Sequence, residues 1–366
     1  MKSLITILCC LSFLSIELCA QQDHNSTFYN FTIQKKVACT SVKDQYYSST
    51  CWSFASLSFL ESELIKAGKA PIDLSEMYIA RYSYLDKVRL HLASKGTNFF
   101  TPGGQYHDVM RVSRKYGLVP ESVYTGRVGD ETGHDHEKLD TLMERYVKKM
   151  LKAGKTSPTD RDWKYINKLL DKYLGEVPSS FTYEGKTYTP LSFMNDYLQI
   201  NPDDYIEITS YTHHPYYQAF ILEDQYNWTQ DLYYNLPLEE FIQVVDEALA
   251  KGYTVGWDGD VSEETFLHER GIAYLPTSQQ AVTTALRQKT YEDKSSKIDH
   301  LMHIVGIAND KFGKQWYWVK NSWGQSLNPE GGYLYMSAPY LKLKTVALIV
   351  NKKALSKDIR AKLKVD

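Results

Sequence analysis

Apolar residues recur at helical spacing from Cys51 onward, at Trp52, Ala55, Phe59, Leu60 and Leu64, and Gly68 closes the run. The pattern predicts a helix that begins on the cysteine itself. A glycine-containing loop, Thr101-Pro102-Gly103-Gly104, leads to a second helix through Val109 and Val112 that stops at Gly117. From Asp130 to about Leu174 the chain reads as helical throughout. Its apolar stripe runs Leu139, Leu142, Met143, Tyr146, Val147, Met150, Leu151, then Trp163, Ile166, Leu169, Leu170 and Tyr173. A polar hairpin is predicted between Thr182 and Tyr188, a Tyr-rich segment follows from Tyr205 to Tyr234, and another helix covers Leu238 to Leu249. Strands dominate afterwards: Tyr253 to Trp257, Leu301 to Ile307, Trp316 to Lys320, Tyr333 to Met336 and Val346 to Val350. Helices first, strands later and a helical insert between them predict an α+β fold rather than βαβ repeats. The expected parts are a helical lobe over about 36–129, an insertion over about 130–235 and a strand-rich lobe over about 236–366.

The N-terminus has a separate pattern. Lys2 gives a positive start, Leu4 to Ile16 form an apolar stretch too short to span a membrane, and Ala20 precedes the polar Gln21, Gln22 and Asp23. Residues 1–20 therefore read as a signal peptide, and the mature chain is expected to start near Gln21 and to be exported. Residues Asp23 to Val42 are polar and expected to be extended. Composition narrows the function. With 42 Lys+Arg against 44 Asp+Glu, the net charge of -2 disfavours nucleic-acid backbones and polybasic membrane attachment. A 43% hydrophobic fraction in 366 residues is enough for a real core, and no apolar run is long enough to anchor the chain in a membrane. Three of the five cysteines (Cys9, Cys10, Cys19) fall in the leader, so only Cys39 and Cys51 remain. That is no disulfide scaffold.

Chemistry concentrates in three places. Cys51 opens a helix, where the positive end of the helix dipole favours the nucleophilic thiolate. Far downstream stands Asp299-His300-Leu301-Met302-His303, and then Lys320-Asn321-Ser322-Trp323-Gly324. A histidine can take the thiol proton and return it to a leaving amine, and an amide side chain can fix the imidazole. Two strands joined by a short turn would set His300 and Asn321 side by side. One piece alone says little; Cys, His and Asn in this order say much more.

With these residues the chain resembles the papain superfamily of cysteine peptidases, as a papain-like two-lobed fold with a helical insertion. The resemblance implies that Cys51 is the nucleophile and that Gln45, six positions before it, supplies the side-chain donor of the oxyanion hole. It further implies that His300 is the base, Asn321 its orienting amide, and Trp323 a shield over their hydrogen bond. His303 is expected to be a packed or hydrogen-bonded residue, with the role of base left open to it on geometry alone. Ser48, three before the nucleophile, Tyr116-Gly117-Leu118-Val119-Pro120, Gly256-Trp257-Asp258-Gly259-Asp260-Val261 and Val350-Asn351-Lys352-Lys353 resemble the bleomycin hydrolase and aminopeptidase C branch. Gly103 and Gly104 would then line the cleft, where missing side chains let a peptide backbone approach. The substrates implied are peptides, hydrolysed through a thioester with no metal and no organic cofactor.

Two departures bear on this. The branch is mostly cytoplasmic, whereas this chain carries an export pattern. The branch also confines itself to substrate N-termini with a C-terminal arm, and here only Lys364, Val365 and Asp366 follow the tail helix. An endopeptidase with an open cleft therefore stands beside the aminopeptidase, and assembly into a homo-oligomer stays open. The 24 residues between Gln21 and Gln45 are too few for a long inhibitory prosegment, so export in working form is expected. A non-catalytic peptide-binding protein and an amidase or transferase on the same fold are the rival readings. His134-Asp135-His136-Glu137 reads as a solvated helix start rather than a metal site, and His213-His214-Pro215 as a loop. Asn25, Asn30 and Asn227 each begin a glycosylation acceptor pattern.

Overall fold

A computed structural model describes residues 25–276 and 281–365. The expected leader, with Cys9, Cys10 and Cys19, lies outside the described residues. The helices are α1 (Ser26–Tyr29), α2 (Cys51–Lys66), α3 (Glu76–Ala93), α4 (Tyr106–Tyr116), α5 (Glu137–Lys152), α6 (Asp160–Leu174) and α7 (Pro190–Ser192). Four more follow: α8 (Leu238–Ala250), α9 (Thr284–Glu292), α10 (Ala338–Lys344) and α11 (Lys357–Leu363). Strands β1 (Thr32–Lys36), β2 (Phe181–Tyr183), β3 (Lys186–Tyr188), β4 (Tyr205–Thr209), β5 (Ala219–Ile221) and β6 (Leu232–Asn235) precede the strand-rich half. That half holds β7 (Val255–Gly259), β8 (Phe266–Leu267), β9 (Ile272–Ala273), β10 (His300–Asn309), β11 (Gln315–Lys320), β12 (Tyr333–Ser337) and β13 (Thr345–Asn351).

Helix α2 is the axis of the helical lobe. Every residue from Trp52 to Leu64 is buried, because α3, α4 and strand β10 enclose it. Helix α3 escaped the sequence pattern for a related reason. It is buried on most sides, from Met77 and Tyr78 through Leu85 and Val88 to Leu92, so no polar face marks its period. Its cap is conventional: the Ser75 hydroxyl accepts the Tyr78 N–H at 3.1 Å. The long helix expected from Asp130 to Leu174 is instead two helices. Gly154, at φ 73°, turns the chain out of α5. Thr159 and Asp162 then form a reciprocal cap that starts α6.

The sheet orders its strands β5-β6-β4-β13-β7-β10-β11-β12-β9-β8, with β1 also on β10. Strands β4, β5 and β6 thus tie the end of the inserted region into the main sheet. On one face, Trp257, Met302, Ile304 and Leu348 pack with Phe241 and Val245 of α8. Leu301, Ala347 and Ile349 belong to the core of the helical lobe. The central strands are therefore covered on both sides, and the cleft opens where α2 meets the start of β10. Val365 is buried with Ile359 and Leu363 in the core that α8 shares, away from that cleft.

Candidate active site

The start of α2 brings Cys51 to a cleft of about 460 Å³ lined also by Gln45, Gly103, Gly104, Tyr226, Asp299, His300, Leu301 and Trp323. Cys51 and Cys39 are both free thiols. Antiparallel pairing of β10 and β11 puts His303 opposite Lys320, so Asn321 leaves the end of β11 within side-chain reach of His300 at the start of β10. His300 Nε2 lies 2.7 Å from Asn321 Oδ1. That oxygen also accepts the Ser322 backbone N–H at 2.8 Å, which fixes which end of the amide faces the ring. Nε2 is therefore the protonated nitrogen, and Nδ1 keeps the lone pair that can exchange a proton with the thiol. Asn321 Nδ2 donates to His268 Nδ1 at 3.3 Å. The Trp323 ring covers His300 with centroids 4.6 Å apart and meets His268 edge-on at 4.8 Å.

Gln45 is held from the same segment. Its backbone N–H donates to Ser322 O at 2.8 Å, and Ser322 Oγ donates to Gln45 Oε1 at 2.7 Å. With Oε1 so engaged, Nε2 is the end left to donate. Gly103 and Gly104 are glycines because their neighbours leave no room. A Cβ on Gly104 would lie 2.7 Å from Asp108 Oδ2 and 2.9 Å from the Trp52 ring, and one on Gly103 would lie 2.6 Å from the Tyr226 ring. The loop they form is pinned by Trp52 Nε1 on Pro102 O and by Lys87 Nζ on the carbonyls of Thr101 and Gly103.

Burial dominates the electrostatics. It pushes the Cys51 thiol up to about 12, against backbone N–H groups of Leu301 and Trp52 that favour the thiolate. It pushes His300 down to about 4, against the Asn321 hydrogen bond. Burial disfavours either charge taken alone, and the Trp52 N–H at the start of α2 offsets only part of that for the thiolate. The arrangement allows thiolate and imidazolium to form together, by transfer of one proton between them.

His303 does not face the cleft. It is fully buried, its Nδ1 2.8 Å from Ser58 Oγ on α2. His134 and His136 are not a solvated helix start. Both are buried, because the 133–136 segment folds onto the Tyr46–Tyr47 turn, with His136 N–H donating to Tyr47 O and His134 edge-on to Phe54. Burial lowers them to about 3 and about 4, so both are neutral at pH 7. His213 and His214 lie in a loop, as expected, with both Nε2 atoms on Glu223. Gln288 Nε2 donates to His213 Nδ1 while its Oε1 accepts the Thr212 N–H, which leaves the His213 proton on Nε2, facing Glu223. Asn227 is buried, its amide on the carbonyls of Leu222 and Asp231, so it is no glycan acceptor in this fold. Sequence reasoning missed Ser322, His268 and Tyr226. The first sat inside a motif already singled out; the other two come from distant loops with no local mark.

Comparisons with known proteins show the family and the fold. The model of the Peptidase C1-like family matches residues 88–366. Aminopeptidase G of Lactobacillus delbrueckii subsp. lactis is 25% identical over 366 residues, covering 87% of this chain and 82% of its own. Aminopeptidase C of Listeria monocytogenes is 26% identical over 371 residues, covering 88% and 83%. The crystal structure of PepW from a lactobacillus superposes with a TM-score of 0.69 at 22% identity, covering 91% of this chain and 84% of that one, which shows the same fold. The chain belongs to the Peptidase C1-like family, in the papain superfamily of cysteine peptidases.

Proposed function

We propose that this protein is a cysteine aminopeptidase, exported from the cytoplasm, that releases N-terminal residues from peptides. The carrying observation is the convergence of Cys51, the His300–Asn321 pair and the held Gln45 amide on one cleft. In this reading Cys51 Sγ passes its proton to His300 Nδ1 and attacks the scissile carbonyl. Gln45 Nε2 and the Cys51 backbone N–H receive the oxyanion. His300 then protonates the leaving amine, and a thioester remains on Sγ. Water, losing a proton to His300, attacks the thioester and frees the new carboxylate; the proton returns to Sγ. The names of the relatives, aminopeptidases G and C, support an N-terminal substrate.

The test is a pair of fluorogenic peptides, one with a free amine and one acetylated, given to the reduced protein and to Cys51→Ala. Hydrolysis of the free form that vanishes in Cys51→Ala supports the proposal. Equal cleavage of both would make it an endopeptidase, and activity that survives Cys51→Ala would remove the nucleophile assignment. Export rests on the Leu4–Ile16 stretch and the polar break after Ala20. N-terminal sequencing of protein recovered outside the cytoplasm should begin near Gln21; an uncleaved chain retained inside would overturn it.

A further inference from the structure

The leaving amine must lie by His300, under Trp323, so the acyl half of a substrate extends toward Gly103 and Gly104 at the other end of the cleft. That end is closed. Tyr226 lies against Gly103 so closely that not even a methyl group fits between them. Phe99 braces the Tyr226 ring edge-on, with centroids 5.3 Å apart. The turn that carries Tyr226 is itself anchored. Asp224 Oδ1 accepts the Tyr226 N–H at 2.8 Å, and the neighbouring Trp228 donates Nε1 to Asp108 Oδ2 on α4 at 2.7 Å.

A second observation concerns charge at the same end. Asp258 is fully buried, and neither carboxyl oxygen has a hydrogen-bond partner among the described residues. An orphaned buried carboxyl is costly and calls for a partner. In the sheet Asp258 stands opposite Leu301, which lines the cleft. It shares a strand face with Gly256, whose Cβ position points at the Tyr106 ring, so Asp258 projects toward the helical lobe rather than toward α8. Asp299 lines the cleft as well, and among the described residues no lysine or arginine does. Lys87 is engaged by the carbonyls of Thr101 and Gly103. Burial first, then Asp224, Glu207 and Asp299, push the Asp258 carboxyl well above the usual range, so an arriving cation would let it ionise.

We propose that this end of the cleft is a single-residue pocket for an N-terminal amino acid, in which Tyr226 bars any residue further upstream and the Asp258, Asp224 and Asp299 carboxyls favour a substrate ammonium. The proposal rests on the aminopeptidase reading but supplies its restriction from within the chain. Binding tests it without turnover. In the Cys51→Ala background, calorimetry with the dipeptide Leu-Ala and with acetyl-Leu-Ala should show the free amine bound at least ten-fold more tightly. Adding Asp258→Asn should erase most of that difference by weakening Leu-Ala alone. Adding Tyr226→Gly should strengthen acetyl-Leu-Ala at least ten-fold, while Tyr226→Phe, which keeps the ring, should not. Equal binding of the two peptides, or a difference that survives both Asp258→Asn and Tyr226→Gly in proteins with unchanged thermal unfolding, would overturn the proposal. Acetyl-Lys-Ala bound as tightly as Leu-Ala would also overturn it, since the cation would then be a side chain. Failure of hydrolysis by the wild type would instead count against the catalytic reading, because these affinities do not depend on chemistry.

Discussion

His300 Nε2 lies 2.7 Å from Asn321 Oδ1, and the same oxygen accepts the Ser322 N–H, so one amide fixes both the tautomer and the plane of the imidazole. Asn321→Ala removes that acceptor but leaves Nδ1 beside the cleft. It should lower kcat/KM by about 10- to 100-fold with KM nearly unchanged, the range expected for a residue that acts by orienting another. Steady-state kinetics of the variant check this. A loss as large as that of Cys51→Ala would mean Asn321 does more than orient.

In the proposed mechanism His300 is also what makes the thiol reactive. Burial alone holds Cys51 near 12, so without a proton acceptor almost none of it is thiolate at pH 7. His300→Gln should therefore cut alkylation by iodoacetamide at pH 7 more than about 100-fold. The residual rate should climb about ten-fold per pH unit from pH 7 upward, with no plateau below pH 11, as for a lone thiol held near 12. If the variant reacts at neutral pH as fast as wild type, the pairing of Cys51 with His300 is wrong.

Much of this was legible in the order of residues, and the rest was hidden for physical reasons. Helices α4 and α8 and strands β7 and β10 to β13 followed from periodicity, because each has a distinct face or a pure strand run, whereas α2, buried all round, was found from its densely spaced apolar residues and the Gly68 that closes them. Helix α3 did not, because burial on most sides removes the polar stripe that a period needs. The break between α5 and α6 needed the backbone of Gly154 and the cap at Thr159, and an apolar stripe reads straight through such a break. Cys51, Gln45, His300 and Asn321 were found through motifs that are local in sequence. His268, Tyr226 and Asp258 take their meaning only from what the fold sets beside them: Asn321, Gly103 and Leu301.

Ser322 offers a subtler test. Its hydroxyl donates to Gln45 Oε1 and so leaves the amide nitrogen as the end that, in the proposed mechanism, receives the substrate oxyanion. Gln45→Ala should lower kcat by about 100- to 1,000-fold, as for loss of an oxyanion donor. Ser322→Ala keeps the donor and loses its restraint, so a fall of about ten-fold in kcat is expected, smaller than for loss of the donor itself. KM for the same peptide should hardly move. An unchanged kcat in Ser322→Ala would show that Gln45 is positioned by its backbone bond to Ser322 O alone.

The loop that carries Gln45 depends on Lys43. Its Nζ donates to Glu76 Oε1 at 2.6 Å and to Leu74 O at 3.1 Å, and it sits between Glu61 and Asp73. Glu61 and Glu76 are almost fully buried, so Lys43→Met leaves Glu76 without its hydrogen-bonded cation and Glu61 with Lys320 alone. The expected cost is about 3–5 kcal/mol at pH 7.5. Burial already raises Glu76 to about 7 even with Lys43 present, and removal of the lysine pushes both acids further up. An acid whose folded-state pKa is raised binds more protons folded than unfolded, so its folded state loses stability as pH rises through that window. The deficit of Lys43→Met should therefore be largest above pH 7 and shrink toward pH 5. Urea unfolding of both proteins at pH 5.0 and pH 7.5 measures it. A deficit independent of pH would mean that the variant suffers from lost packing rather than from uncompensated charge.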